Sequence, residues 1–310
     1  MSSKFSIGVD IGGTNTDIGL VSSEGKCIAS FRLSTSSYAD ASIYVDRLVE
    51  AIRSVMKLHG VSDITGIGVG VPNGNYYTGC IDNAVNLNFK GKVFLRDMIR
   101  ERINTEVVVT NDANAAAYGE MIYGGAKNMK HFIMITLGTG VGSGIVVDGK
   151  LVYGHDGYAG ELGHAILYPE GRLCNCGRRG CLEQYTSAIG IKKTYIELMQ
   201  EEFGNYMGEI DSKIIAESAM AGEQIAKRTY EMTGKALGLA LANAVTYTSP
   251  EAIFLMGGPV KAGEILLNPL KASFDANILS IYKGNVEILT SKLSENEAAI
   301  LGAAALTNRG

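Results

Sequence analysis

Two apolar strands, each running into a glycine turn and set about 125 residues apart, constrain this chain more than any other feature. Lys4 to Ile11 reads as a strand, Gly12-Gly13-Thr14 as a tight turn, Asp17 to Ser22 as the returning strand, and Glu24-Gly25-Lys26 as the next turn. The order recurs as His131 to Leu137, Gly138-Thr139-Gly140, Gly144 to Val147 and Asp148-Gly149-Lys150. Both copies contain Gly-Thr-x4-Gly, at Gly13 to Gly19 and at Gly138 to Gly144. A supersecondary unit used twice predicts two similarly built α/β lobes facing each other, each presenting backbone N–H groups at a turn, with a phosphate-bearing ligand between them.

The intervening chain fits that plan. Residues 40 to 59 place Ile43, Leu48, Val49, Ile52, Val55 and Met56 at helical spacing, and Ile64 to Val71 is a Gly-interrupted apolar run typical of a strand buried on both faces. A glycine-rich loop at 72 to 80 precedes a helix over Leu95 to Arg102 and a strand over Val107 to Thr110, which ends at Asn111-Asp112-Ala113-Asn114 where another helix begins. Residues 186 to 205 and 212 to 247 carry helical periodicity. They are followed by the strand Ala252 to Met256, the turn Gly257-Gly258, and a terminal helix from about Glu295 to Thr307 expected to pack back on the first lobe.

Composition removes several function classes. With 46% hydrophobic residues among 310, the chain can bury a real core. Its 28 Lys and Arg against 32 Asp and Glu give a net charge of −4 with no dense basic run, which argues against nucleic acid as a partner because phosphate binding needs clustered cations. No leader is read at the N-terminus, and no run of about 18 uninterrupted apolar residues occurs, so neither export nor a membrane partner is expected and the location reads as cytoplasmic.

Of the five cysteines, three fall within eight positions, and with the nearby histidine they read H-x9-C-x-C-x4-C: His164, Cys174, Cys176 and Cys181. One imidazole and three thiolates make the tetrahedral shell Zn2+ prefers, and four filled positions mark a closed structural site rather than a water-activating one. Cys27 and Cys80 read as small hydrophobes. Glu161, three positions before His164, and Glu183, two after Cys181, bracket the site. Zinc would bring both carboxylates near one point, where they could accept hydrogen bonds from vicinal hydroxyls of a polyol.

Asp112, at a strand end and helix start, suits catalysis, because ligands of open α/β sheets bind at the carboxyl ends of strands. The same position also suits a helix N-cap, and Asn111 and Asn114 share that ambiguity. Asp10, at the other strand end beside a glycine turn, could serve a Mg2+ ion through water or simply form the turn. Neither a Walker loop nor a Rossmann G-x-G-x-x-G is present.

Taken together these residues resemble the ROK family of sugar kinases over nearly the whole chain, most closely its bacterial glucokinase-like members. Asp10-Ile11-Gly12-Gly13-Thr14 and Leu137-Gly138-Thr139-Gly140-Val141-Gly142 are similar to its two phosphate motifs, and Asn111-Asp112-Ala113-Asn114 to its catalytic strand end. Gly160-Glu161-Leu162-Gly163-His164 followed by Cys174-x-Cys176-Gly177-x-x-Gly180-Cys181-Leu182-Glu183 is similar to its zinc signature in full, and Met256-Gly257-Gly258 to its adenosine loop. The resemblance implies an α/β, two-lobed actin-like ATPase (ribonuclease H-like) fold with a structural zinc site. Residues 1–112 plus 296–310 would form the smaller lobe and 113–295 the larger.

It further implies an ATP-dependent kinase acting on the 6-hydroxyl of a hexose, with glucose first and N-acetylmannosamine, N-acetylglucosamine and fructose as alternatives. Asp112 would be the general base. Gly74, Asn86, Asn111, Asp112, Glu161, His164 and Glu183 would contact sugar, His164 using its second ring nitrogen. ATP would lie on Gly12, Gly13, Thr14, Gly138, Thr139, Gly140, Gly257 and Gly258, with catalytic Mg2+ near Asp10, structural Zn2+ on His164, Cys174, Cys176 and Cys181, and a homodimer as the assembly. Pro72-Asn73-Gly74 and Asn86-Leu87-Asn88-Phe89 depart from the common pattern where the sugar is bordered, and Pro259 stands where a third glycine is common. Two other classes stay in view. A sugar-responsive repressor would carry an added helix-turn-helix, whereas here the first strand begins about five residues in, and a silent sugar-binding module would not be expected to keep Asp112 and both phosphate turns.

Overall fold

The structure, a computed structural model, describes residues 5–84, 87–204, 208–293 and 295–307. In chain order its first half runs β1 (Phe5–Ile11), β2 (Asn15–Ser22), β3 (Cys27–Ser34), α1 (Ala41–Leu58), β4 (Ile67–Gly70), the short β5 (Ile81–Asp82) and β6 (Lys92–Val93), α2 (Leu95–Arg102), β7 (Val107–Thr110) and α3 (Asp112–Ile122). The second half runs β8 (Phe132–Leu137), β9 (Val141–Val147), β10 (Lys150–Leu151), α4 (Glu183–Thr186), α5 (Ala188–Phe203), α6 (Ser212–Met220), α7 (Gln224–Thr248), β11 (Ala252–Met256), α8 (Glu264–Asn277), β12 (Glu287–Thr290) and α9 (Glu295–Ala305).

The hairpin repeat is a repeat of topology. One five-stranded sheet has the order β3-β2-β1-β4-β7 and the other β10-β9-β8-β11-β12, the same path traced twice. The β2–β3 and β9–β10 pairs are both antiparallel, and the β1–β4, β4–β7, β8–β11 and β11–β12 pairs are all parallel. By contacts the chain divides into a first unit of Met1–Met129, Gly144–Ala159 and Lys292–Gly310 and a second of Lys130–Ser143 and Gly160–Ser291. The division passes through β9 itself. Among the described residues no helix is long and apolar enough to cross a membrane.

In the first unit α1 closes the core. Asp40 caps it, accepting from the N–H groups of Ser42 (2.7 Å) and Ile43 (3.0 Å), and its apolar stripe of Leu48, Val49, Ile52 and Val55 is buried against Ile7, Val9, Ile67 and Val69 of the sheet. Ile43, which the sequence reading placed on that stripe, is 55% exposed: its neighbours Tyr44 and Val45 are fully buried, and at about 100° per residue Ile43 projects from the opposite face of the helix. The sheet's other face takes α9, which packs on α3, β1, β2 and β4 as the terminal helix was expected to do. Its backbone rests directly on glycine: a Cβ at Gly8 would sit 2.0 Å from the carbonyl oxygen of Ile300, and one at Gly68 would sit 1.8 Å from that of Ala303.

In the second unit the long helix α7 packs on α8 by the same means, Gly234 and Gly238 admitting the α8 backbone. Two sequence expectations change here. The periodic stretch 212–247 is two helices, broken at Ala221-Gly222 where Gly222 takes a φ of +103°. The returning strand of the second hairpin starts at Val141, before Gly144. Helix α8 and strand β12 had no sequence reading; Pro269 inside α8 breaks the usual helical pattern, and its ring packs towards Gly234.

Gly68→Ala is expected to cost about 3 kcal/mol or more, since a methyl group there overlaps main chain that cannot move independently of the helix. Urea denaturation checks it, and a loss below about 0.5 kcal/mol would contradict the seating of α9.

Candidate functional site

In the first unit the candidate groups line up across the sheet. Register places Arg32, Asp17, Asp10, Gly70 and Thr110 in one row over β3, β2, β1, β4 and β7. Asp17 faces Asp10 directly and is held by the Arg32 guanidinium through Nε–Oδ1 (2.6 Å) and Nη2–Oδ2 (3.0 Å). Gly70 leaves the middle of the row empty: a Cβ there would meet Cβ of Ala115 at 3.2 Å, Cα of Asp112 at 3.4 Å and Oδ1 of Asp10 at 3.9 Å. The first turn of α3 therefore lies on the strand ends, and Asp10 and Asp112 share one small region.

The start of α3 separates the cap from its neighbour. Asn111 is the N-cap, its Oδ1 accepting from Ala113 N–H at 2.9 Å, and Asp112 is the first helical residue. Asp112 Oδ1 also accepts from Ala113 N–H (2.8 Å), while the side chain stays exposed. Although open to solvent, the carboxyl is surrounded by protein at longer range, and that desolvation pushes its pKa up against the opposing pull of backbone N–H groups. Asp10 is pushed up to about 7, first by burial and then by the negative charges of Asp112 and Asp17. Two carboxylates crowded this way are the electrostatic setting in which a divalent cation is stabilised.

Gly12 and Asn15 close the first glycine turn (N–H to O, 2.9 Å), and the Thr14 carbonyl accepts from Thr35 (2.8 Å) and Ser36 (3.2 Å). Gly74 lies against β7, where a Cβ would meet the Thr110 carbonyl oxygen at 2.4 Å. Asn86 lies outside the described residues. The loop after Gly74 is bound to residues 153–158: the Asn75 amide donates to the Asp156 carbonyl (2.6 Å), the Tyr77 hydroxyl to that of Gly154 (2.9 Å), the Tyr158 hydroxyl to Asp82, and the rings of Tyr76 and Tyr153 stack at 4.0 Å.

In the second unit His164, Cys174, Cys176 and Cys181 converge. His164 Nδ1 lies 3.7 Å from Cys174 Sγ, Cys176 Sγ lies 3.6 Å from Cys181 Sγ, and all four donor atoms fall within 4.8 Å of one another. Tetrahedral Zn–S bonds of about 2.3 Å set S–S edges of roughly 3.8 Å, so the donors already stand at the spacing Zn2+ needs. With Nδ1 turned to the thiolates, Nε2 is left for another partner. A second fastening holds the loop: Arg172 Nε binds Glu197 (2.9 Å), its Nη1 binds the Gln184 carbonyl (2.6 Å), and its guanidinium lies 4.7 Å over the Tyr185 ring.

Glu183 opens α4 beside this cluster, its Oε1 lying 4.0 Å from Cys174 Sγ and its Oε2 accepting from Val141 N–H at 3.1 Å. A Cβ at Gly140 would meet that same Oε2 at 2.5 Å, so the second glycine turn touches the carboxylate directly. Gly257, with a φ of +116°, abuts the Leu137 carbonyl, and the Gly138 carbonyl accepts from Ala188 N–H at 2.8 Å. Glycine turn, Gly257-Gly258 loop, zinc donors and Glu183 thus form one continuous neighbourhood. Glu161, exposed, precedes the 3-10 turn Leu162–His164. Sequence reasoning missed Asp17 with Arg32, the stacked tyrosines, Arg172 and Ser143; only Ser143, a hydroxyl inside a glycine run, left a signal there.

Comparison with known proteins was made against this geometry. The model of the ROK family matches residues 6–309. A glucokinase of Halalkalibacterium halodurans is 34% identical over 97% of this chain and 94% of its own length, and a xylose repressor of Bacillus subtilis is 29% identical over 96% of this chain and 75% of its own. The crystal structure of a ROK family glucokinase from Streptomyces griseus in complex with glucose and AMPPNP superimposes with a TM-score of 0.83 at 31% identity, covering 99% of this chain and all of that one. The actin-like ATPase fold expected from the resemblance is the fold present.

The raised Asp10 carboxyl fixes a sign. Its folded pKa lies above the ordinary 3.8, so its contribution to stability is fully present below about pH 4 and is lost as pH rises through about 7. Without added Mg2+, Asp10→Asn is expected to melt above the wild type at pH 8, by at most about 4 kcal/mol, with the gap closing towards pH 5. Melting curves that stay parallel across that range would contradict the coupling. Chelator-washed protein is expected to keep roughly one Zn2+ per chain and Cys176→Ser to lose it, as read by elemental analysis.

Proposed function

The chain belongs to the ROK family, and from that premise we propose that it is an ATP-dependent hexose kinase whose acceptor is the 6-hydroxyl of glucose. The observation that carries the reading is the placement of Asp112. A solvent-accessible carboxylate stands at the end of a parallel strand beside Asp10, in a chain that matches a glucokinase along nearly its whole length.

Asp112 takes the proton from the sugar 6-hydroxyl as that oxygen attacks the γ-phosphorus; the bond to the β-phosphate oxygen breaks, and ADP and the sugar 6-phosphate leave. The raised pKa of Asp112 makes it a stronger base than an ordinary aspartate, while it still ionises as the pH rises. The N–H groups of Gly12 to Thr14 and Gly138 to Gly140 hold phosphate oxygens, and Gly257-Gly258 borders the adenosine. Asp10 would be the residue that holds Mg2+, which when bound would supply positive charge against the phosphates. Gly74, Asn111, Glu161, His164 Nε2 and Glu183 accept or donate to the remaining sugar hydroxyls. His164, Cys174, Cys176 and Cys181 would hold a structural Zn2+, which would fix the imidazole tautomer, while Val141 N–H keeps Glu183 by the second glycine turn. The assembly proposed is a homodimer and the location cytoplasmic, as the family resemblance implies.

The match to a xylose repressor supports one second reading, a sugar-responsive regulator without turnover. The two carboxylates and both glycine turns weigh against it, because sensing alone needs no base.

ADP release with ATP and Mg2+ across glucose, mannose, fructose, N-acetylglucosamine and N-acetylmannosamine separates the readings. Glucose is expected to give the highest kcat/KM. Asp112→Asn should lower kcat by about two to four orders of magnitude while glucose still binds, since an amide can hold a hydroxyl but cannot accept its proton. Glucose binding without turnover in the wild type would favour the regulator.

A further inference from the structure

The hydroxyl of Ser143 holds the main chain on both sides of Glu161. Ser143 lies in β9, three residues after Gly140, and is 4% exposed. Its Oγ donates to the carbonyl of Gly160 and accepts from the N–H of Leu162 (3.3 Å). One hydroxyl can do both at once, having one donor and two acceptor positions. Around this pair the two segments meet backbone to backbone. A Cβ at Gly160, whose φ is +99°, would meet the Ser143 carbonyl oxygen at 2.8 Å, and one at Gly163 would meet that of Val141 at 2.1 Å. Nothing bulkier than glycine fits, so the segment 160–163 is laid flat on the first three residues of β9.

The chain leaves the second unit after Ser143 and re-enters it at Gly160, so the Ser143–Gly160 bond closes the base of that excursion. Glu161 is the first residue beyond the closure. Its own carbonyl accepts from His164 N–H at 3.0 Å, which starts the turn that carries the zinc-ligating imidazole. The zinc shell anchors only the far end of this turn; nothing in it restrains the chain before His164.

We propose that Ser143 is a positioning residue for Glu161, setting the direction of that carboxylate toward the sugar independently of the zinc site. The proposal rests on the reading of Glu161 as a group that accepts from sugar hydroxyls. Together with Val141 N–H on Glu183, it makes the start of β9 the frame for both carboxylates, carried on the strand that leaves the second glycine turn. Sugar alignment and phosphate alignment then share one rigid element.

The test is a double-mutant cycle read by glucose affinity, with zinc content and ATP KM as controls. Ser143→Ala removes the bonds to a half-buried carbonyl and N–H on either side of Glu161, and should weaken glucose binding roughly tenfold while zinc stays near one per chain and ATP KM and kcat move less than about twofold. Ser143→Cys, nearly isosteric but a poor donor, should weaken glucose in the same direction, and Ser143→Thr, which keeps the hydroxyl, should recover it. In a Glu161→Ala background, Ser143→Ala should add nothing further, because the group it aims is gone. Additive losses, or an unchanged glucose affinity in both Ser143→Ala and Ser143→Cys, overturn the positioning role while leaving the kinase reading intact. An unchanged affinity in Glu161→Ala itself overturns the sugar-binding reading of Glu161 and the proposal with it.

Discussion

Main chain lies directly on main chain wherever this protein builds something that matters, and the missing side chains at a few glycines make that contact possible. Gly8 and Gly68 let α9 settle onto β1 and β4 at distances a methyl group would block. Gly70 does the same for the first turn of α3, and so brings Asp112 over the strand ends beside Asp10. In the second unit Gly163 and Gly257 let the turn at His164 and the Gly257-Gly258 loop settle on the start of β9 and the end of β8, and Gly140 leaves room for the Glu183 carboxylate. Close backbone approach leaves little slack, so the polar groups at these points are held by geometry rather than by long side chains that would have to be ordered on binding.

That rigidity carries an electrostatic cost, and the cost is a signature of function. Asp10 is pushed towards neutrality by burial and by its two acidic neighbours, a situation that destabilises the empty protein at neutral pH. Of those neighbours, among the described residues only Asp17 has an ion-pair partner, Arg32. Asp10 and Asp112 are left as a pair whose repulsion a cation would relieve. The second unit solves a similar problem differently. There one imidazole and three cysteine sulfurs gather into a compact set, with Arg172 and Tyr185 holding the same loop. Two independent fastenings on one loop limit how far Glu183 can move from the glycine turn.

The elements legible in the sequence share a local cause. The strands that end at Ile11, Thr110 and Met256 are apolar runs stopped by polar or glycine residues, and helix α2 matches its pattern residue for residue. The elements that were not legible depend on partners distant in sequence. Helix α8 tolerates Pro269 because the ring packs against Gly234 of α7. Strand β3, exposed along much of its length, exists because β2 offers a ladder beside it. The break between α6 and α7 falls at Ala221-Gly222, a pair that helical periodicity alone passes over.

The sequence by itself determined the doubled topology, the clustering of one histidine with three cysteines, and the place of Asp112 at a strand end, because each is written as a residue type at a fixed spacing: a repeated glycine hairpin, a close-set run of donors, an aspartate after an apolar run. Only the tertiary structure decided which residues aim those groups. That Asn111 rather than Asp112 caps α3, that Asp17 stands opposite Asp10 with Arg32 beyond it, and that Ser143 grips both sides of Glu161 follow from strand register and backbone approach. Those distances are set when sheets and helices pack, and no linear spacing encodes them.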